Sequence, residues 1–205
     1  MSLTDVQPWR EDESVEAGRT LGLAFQEDPL FSFVLPDPQG RAQKLPPYLS
    51  ILVRFGHLFG EAWTAGAAKE GIAVWQPPGS DVTPERAEAA GFGKLPEILG
   101  MEELQRLGSV LDHLQNNHRA DVATAHWYLM IVGVTPERMR NGVGTALLRP
   151  GLESADKDGV PIYLDTAERS NIPFYEKLGF EVAVESVEPS SGLTMWTLSR
   201  PAPLR

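Results

Sequence analysis

The sequence contains no cysteine, which removes disulfides, thiolate metal sites and a cysteine nucleophile at once. Histidine is scarce, with 4 in 205 residues. His113 and His118 do not stand at a metal-ligand spacing, so both read as solvated or capping groups and no metal is expected. No apolar run reaches bilayer length, so no membrane partner is expected. Positive charge is in deficit: 18 Lys and Arg against 28 Asp and Glu leave a formal net charge of -10. That excludes general nucleic-acid binding, which demands a basic face, and permits a cationic or neutral substrate. The start lacks the basic and apolar regions of a leader and runs into Glu11, Asp12 and Glu13; a cytoplasmic location is expected.

What is present is the composition of a folded chain, 42% hydrophobic and 22% charged over 205 residues, enough for one domain spanning 1–205. Residues 11–26 carry Ala17, Leu21, Ala24 and Phe25 on one helical face. The stretch after them, with Pro29, Pro36 and Pro38, reads as a loop with a short apolar turn at Phe31 to Leu35, either packing or lining a cleft. Pro46 and Pro47 mark the first turn of a second helix through Phe59. Glu61 to Ala65 and Gly71 to Trp75 form a hairpin with Trp63 and Trp75 as core or cross-strand aromatics. Thr83-Pro84 caps a short helix ending near Gly91. A longer helix follows from Pro96 toward His118, its Leu104, Leu107, Leu111 and Leu114 covering either the sheet or a second copy in a homodimer. The tail PAPLR reads as frayed.

The informative stretch is Val132 to Leu148, VGVTPERMRNGVGTALL. His126 to Val134 is a nearly continuous apolar run, as for a strand buried on both faces. Gly142 and Gly144 then lead into a helix to Lys157, which Pro150 should kink. A helix amino terminus presents unpaired N–H groups and positive partial charge, where an anion is stabilised. Arg138, Arg140 and Arg149 make this stretch locally basic. Two readings stand together: a glycine turn with solvated arginines, or an anion site. Val160 to Asp165 is the next strand, so strand, helix, strand forms a right-handed crossover. A short helix at Asn171 to Leu178 ends at Gly179, and Phe180 to Val187 pairs with Leu193 to Ser199 across Glu188-Pro189-Ser190-Ser191-Gly192.

This order, strand, VTPERMRNGVGTALL, strand, NIPFYEKLGFEV, resembles the GNAT superfamily of N-acetyltransferases. The resemblance implies an α/β fold whose mixed, mostly antiparallel central sheet is flanked by helices, with a splayed parallel strand pair holding coenzyme A. It implies acetyl-CoA as cosubstrate and a CoA-binding core over about 126–187. The cofactor-binding set it implies is Val132, Gly133 and Val134 on the strand; Arg140, Asn141, Gly142, Val143, Gly144 and Thr145 in the pyrophosphate loop; and Asn171 against the pantetheine arm. Tyr175 is implied as the acid that protonates the departing thiolate. The family's Gln or Arg falls on Met139, a departure that Arg138 and Arg140 flank. Within the family, the runs IAVWQPP, VGVTPERMRNGVGTALLRPGLE and NIPFYEKLGFEV are most like members that acetylate puromycin, which implies a small-molecule amine acceptor. Rival phosphate motifs fit worse, because Gly144 is followed by Thr145-Ala146 rather than Lys and Ser, and Leu147 stands where a dinucleotide fingerprint needs Gly or Ala.

A tyrosine stays protonated at neutral pH, as an acid for the leaving sulfur must. Three groups compete for the base: His126 and Tyr128, two apart on one strand and so on one face, and Asp165 at a strand's carboxyl end. Direct acetyl transfer to a primary amine is the expected activity. The alternatives are a catalytically silent CoA-binding regulatory module and acetylation of a protein or peptide amine.

Overall fold

The alternation and helical periodicity of the sequence become seven strands and eight α-helices in the computed structural model, which describes residues 4–121 and 125–203. The last two residues of the PAPLR tail and the His118 side chain lie outside the described residues. Strands β1 (Val6–Pro8), β2 (Glu61–Ala65), β3 (Gly71–Gln76), β4 (Trp127–Val134), β5 (Ile162–Thr166), β6 (Glu181–Val187) and β7 (Thr194–Arg200) build one sheet in the order β1-β2-β3-β4-β5-β7-β6. Only β4 and β5 run parallel; every other neighbour pair is antiparallel. The helices are α1 (Ser14–Ala24), α2 (Pro29–Val34), α3 (Pro38–Phe59), α4 (Pro84–Ala90), α5 (Leu95–Leu99), α6 (Met101–Asp121), α7 (Val143–Asp158) and α8 (Ile172–Glu176). Among the described residues no helix is long and apolar enough to cross a membrane.

Two cores separate across the sheet. Ile72, Val74 and Ile131 pack with α1, α2, α3 and α5, whereas Ala73, Trp75, Trp127, Leu129, Ile162 and Leu164 pack with α7 and Tyr175 of α8. Strand β4, like β3, contributes to both by alternation, but it carries an extra residue. Val74 pairs with Ile131 and Trp75 with Leu129, so Met130 has no opposite number on β3. Such a bulge resets the alternation of a strand. Met130 and Ile131 accordingly face the α1 side together, while Leu129, Val132 and Val134 face α7.

Four boundaries differ from the sequence expectation, each for a local reason. Strand β1 has only three residues and a proline, too short to show a period. The apolar turn after Pro29 is a helix because the Asp28 carboxylate caps it, accepting from Leu30 N at 2.9 Å and Phe31 N at 3.2 Å. Helix α3 begins at Pro38 rather than Pro46, since Asp37 caps it through Gly40 N at 2.7 Å. Pro46 and Pro47 lie inside it, with the Pro46 ring against Gly22 of α1. The helix expected from Pro96 is divided at Gly100, whose φ of 98° no helix adopts. Along α6, Leu107 and Leu114 are buried and Leu111 is 51% exposed. His113 is bonded rather than solvated, its Nε2 lying 2.8 Å from Ser186 Oγ on β6.

Helix α7 runs through Pro150 from Gly142 at its start to Gly159, in the left-handed region at φ 70°, at its end. It comes close against the sheet at Gly151, where a Cβ would lie 2.2 Å from the Trp75 indole. Trp75 is fully buried and edge-on to Trp127, so it cannot withdraw. Gly151→Ala should therefore destabilise by about 1–3 kcal/mol through overpacking, although alanine is the better helix former. A thermal melt checks this: the melting temperature should fall, and a rise would show that α7 is free to shift.

Candidate active site

The parallel ladder of β4 and β5 is short. Trp127, Tyr128 and Leu129 pair with Ile162, Tyr163 and Leu164, and pairing stops there although β4 continues to Val134. The Met130 bulge marks the parting point. On the other side of β4, Thr135 N donates to Glu70 O at 2.9 Å. Antiparallel alternation then turns Gly133 and Ile131 toward β3, and leaves Val132 and Val134 directing backbone N–H and C=O groups into the gap. Gly133 has a packing duty instead: a Cβ there would meet Leu21 and Ala24 of α1 and Phe25, its C-terminal cap, within 3.0 Å.

The loop from Thr135 to Gly142 delivers the chain to the first turn of α7. Arg140 at φ 64° and Gly142 at φ 78° both occupy the left-handed region. Ala146 N donates to Gly142 O at 3.0 Å; the amides of Val143, Gly144 and Thr145 precede it in the first turn, where the helix offers no acceptor. Asn141, Gly142 and Thr145 are exposed, while Val143 is buried among the α7-side core. Gly144 lets α8 approach, a Cβ there falling 3.3 Å from Phe174 Cζ and 3.9 Å from Val134 Cγ2. The two segments singled out in the sequence thus meet at Gly144, beside the gap. Met139 is 48% exposed. Arg138 lies 3.8 Å from Glu70, and Arg140 makes no ion pair among the described residues.

Helix α8 brings Tyr175 into the same region, 7% exposed and edge-on to Phe174 and Phe180. Among the described residues its hydroxyl has no hydrogen-bond partner, and burial, with the Asp28 carboxylate second, raises its pKa above the ordinary tyrosine value. It is protonated at neutral pH. Asn171 sits at the start of α8, its Nδ2 3.4 Å from Thr166 Oγ1.

Of the base candidates, Asp165 is occupied structurally, accepting from Tyr128 OH at 2.9 Å and Thr197 Oγ1 at 2.5 Å. Tyr128 is held protonated, burial and then Asp165 raising its pKa. His126 stacks edge-on to Tyr163. The sequence reading passed over Asp28. Burial pushes its carboxyl up to about 6, against the two amide bonds it accepts, and Glu168 adds to the rise. Asp28 and Tyr175 belong to opposite faces of the sheet, yet the charge of one acts on the other. The available signal was the Asp-Pro pair at 28–29, a cap and first-turn proline that recurs at 37–38.

The acetyltransferase (GNAT) family model matches residues 58–180, a span that holds β2 to β5, α7 and α8. An uncharacterized N-acetyltransferase of Schizosaccharomyces pombe is 26% identical over 171 residues, covering 80% of this chain and 69% of the relative. In fold, the chain is similar to the crystal structure of histone acetyltransferase HPA2 and related acetyltransferase from Corynebacterium glutamicum, with a TM-score of 0.72, 22% identity and coverage of 98% of this chain and 97% of that one. It is also similar to arylalkylamine N-acetyltransferase 2 from Aedes aegypti, with a TM-score of 0.66, 14% identity and coverage of 97% and 99%. With the family model spanning more than half of its length, over the parting strands and both converging segments, the chain belongs to the GNAT acetyltransferase family.

Proposed function

We propose that this chain works as one domain over 1–205 and transfers the acetyl group of acetyl-CoA directly to a primary amine of a small molecule. The observation that carries this reading is the β4–β5 parting beside an unpartnered tyrosine hydroxyl. Backbone groups of Val132 and Val134 have the direction needed to bond an extended amide-bearing arm and to polarise a thioester carbonyl. The first-turn amides of Val143, Gly144 and Thr145, with Gly142 contributing no side chain, suit a pyrophosphate, and Arg140 and Asn141 lie exposed at its edge. Met139, where the family carries Gln or Arg, leaves that work to backbone and to Arg140. Asn171 stands at the start of α8 for the arm's remaining polar groups.

Asp28 and Tyr175 divide the proton chemistry. The amine nitrogen forms a bond to the acetyl carbon as the carbon–sulfur bond breaks. Asp28, ionised at neutral pH, takes the proton the nitrogen loses, and Tyr175 donates its proton to the sulfur. A negative carboxylate also attracts the protonated amine to the site. Phe25, Phe31 and Tyr48 form an edge-on aromatic series next to Asp28, at 5.5 and 6.0 Å between centroids. An acceptor seated against this series would carry an aromatic or otherwise apolar body. A puromycin-like antibiotic amine is the finest form of the reading, supported by the sequence runs given above. The fold-level likeness to arylalkylamine N-acetyltransferase 2 agrees with the amine class.

Tyr175→Phe should lower turnover by roughly 10- to 1000-fold with CoA affinity nearly intact; unchanged thiol release across an amine panel that includes puromycin would remove its role as acid. Gly142→Glu places a charged side chain in a left-handed turn at the anion site, and calorimetry should find CoA binding at least about tenfold weaker. Normal affinity there would move the pyrophosphate elsewhere. In the pH profile of kcat/KM an acid limb near pH 6 is expected, because activity rises as Asp28 loses its proton. Asp28→Asn should abolish that limb, and its persistence would assign the titration to another group.

A further inference from the structure

We propose that Arg41 is a positioning residue for the acceptor end of this site, fixing the Gln26–Leu35 segment so that Asp28 keeps its place at the head of α2. The inference rests on the acetyl-transfer reading above. Arg41 is 4% exposed, in the first turn of α3. Its Nε donates to Gln26 O at 2.5 Å and its Nη1 to Leu35 O at 2.6 Å. Among the described residues no carboxylate pairs with it.

A buried guanidinium without a counter-ion is costly unless something negative meets it. Here that role falls to helix ends. Gln26 follows the last turn of α1, and Leu35 is the C-terminal cap of α2. One cation therefore serves the negative ends of two helix dipoles. The planar fork of arginine reaches both carbonyls at once, which an ammonium does with less geometric constraint.

The held carbonyls bracket the segment that carries the acceptor-side groups. Between them lie Asp28, which caps α2, and Phe31, which packs on Phe25 and Tyr48. The segment has a second tie, Gln26 Nε2 donating to Pro38 O at 2.9 Å. Loss of the fork lets α2 turn relative to α1, and Asp28 rides on the hinge. A merely stabilising arginine would affect both substrates alike. A positioning one should affect the amine most, because the pyrophosphate loop at Gly142 is built by other elements.

The test uses the full chain, with thiol release measured for phenethylamine, agmatine and puromycin and CoA binding measured by calorimetry. Arg41→Lys should raise the KM of the best acceptor about tenfold or more and shift the acid limb toward lower pH as Asp28 gains solvent. CoA affinity should stay within about twofold. Gln26→Ala, at the surface tie, should raise the same KM by about two- to fivefold with a normal melting temperature. An unchanged amine KM and acid limb in folded Arg41→Lys, or an equal weakening of CoA binding, would overturn the proposal. Should that variant not fold, an unchanged KM in Gln26→Ala does so. If the wild-type chain releases no thiol with any amine, it is the acetyl-transfer reading that fails.

Discussion

Everything at the centre of this molecule depends on one surplus residue in β4. A strand paired on both sides has no backbone group to offer a ligand. Met130 breaks that condition on one side only: β3 stays in register beyond the bulge, while β5 is lost after Leu129 and Leu164. The same residue exchanges the two faces of the strand, giving Ile131 to the α1 side and Val132 to the α7 side. An interruption of the ladder thus becomes a place where a chain of amides can be received, within a sheet whose remaining pairs keep it rigid.

The parting also lets ionisable groups from the two layers act on one another. Tyr48 and Asp28 belong to the layer of α1 to α3, Tyr175 to that of α7 and α8, and Tyr128 lies at the last paired positions between them. Elsewhere the paired sheet stands between the two layers and keeps such groups apart. Here burial holds the tyrosines protonated and leaves Asp28 near neutrality in its titration. Asp165, one of the three candidates for the base, is spent on joining β4 to β7 through Tyr128 and Thr197.

What the sequence made legible was local and strongly patterned. The β4 run, the Gly142 entry to α7, the crossover into β5 and the Gly179 end of the Asn171 segment all reappear within a residue or two, because each is fixed by its own composition. The acceptor side was not legible. Asp28 and Arg41 are ordinary loop and helix residues until the fold closes around them: the chemistry of Asp28 comes from burial, and that of Arg41 from the carbonyls at two helix ends. Prolines misled in both directions: Pro38 opened a helix that Pro46 and Pro47 were expected to open. The bulge at Met130 has no signature in an apolar run, since either face of the strand would accept the same residues.

The meeting of Trp75 and Gly151 also works as a ruler. The indole fits a notch that only a glycine leaves, and so sets where α7 sits along the sheet. Its first turn begins at Val143, eight positions upstream, or about 12 Å at helical rise. An exchange at the notch would therefore slide the far end of the rod, and the two positions are sterically one unit: a larger residue at 151 calls for a smaller ring at 75.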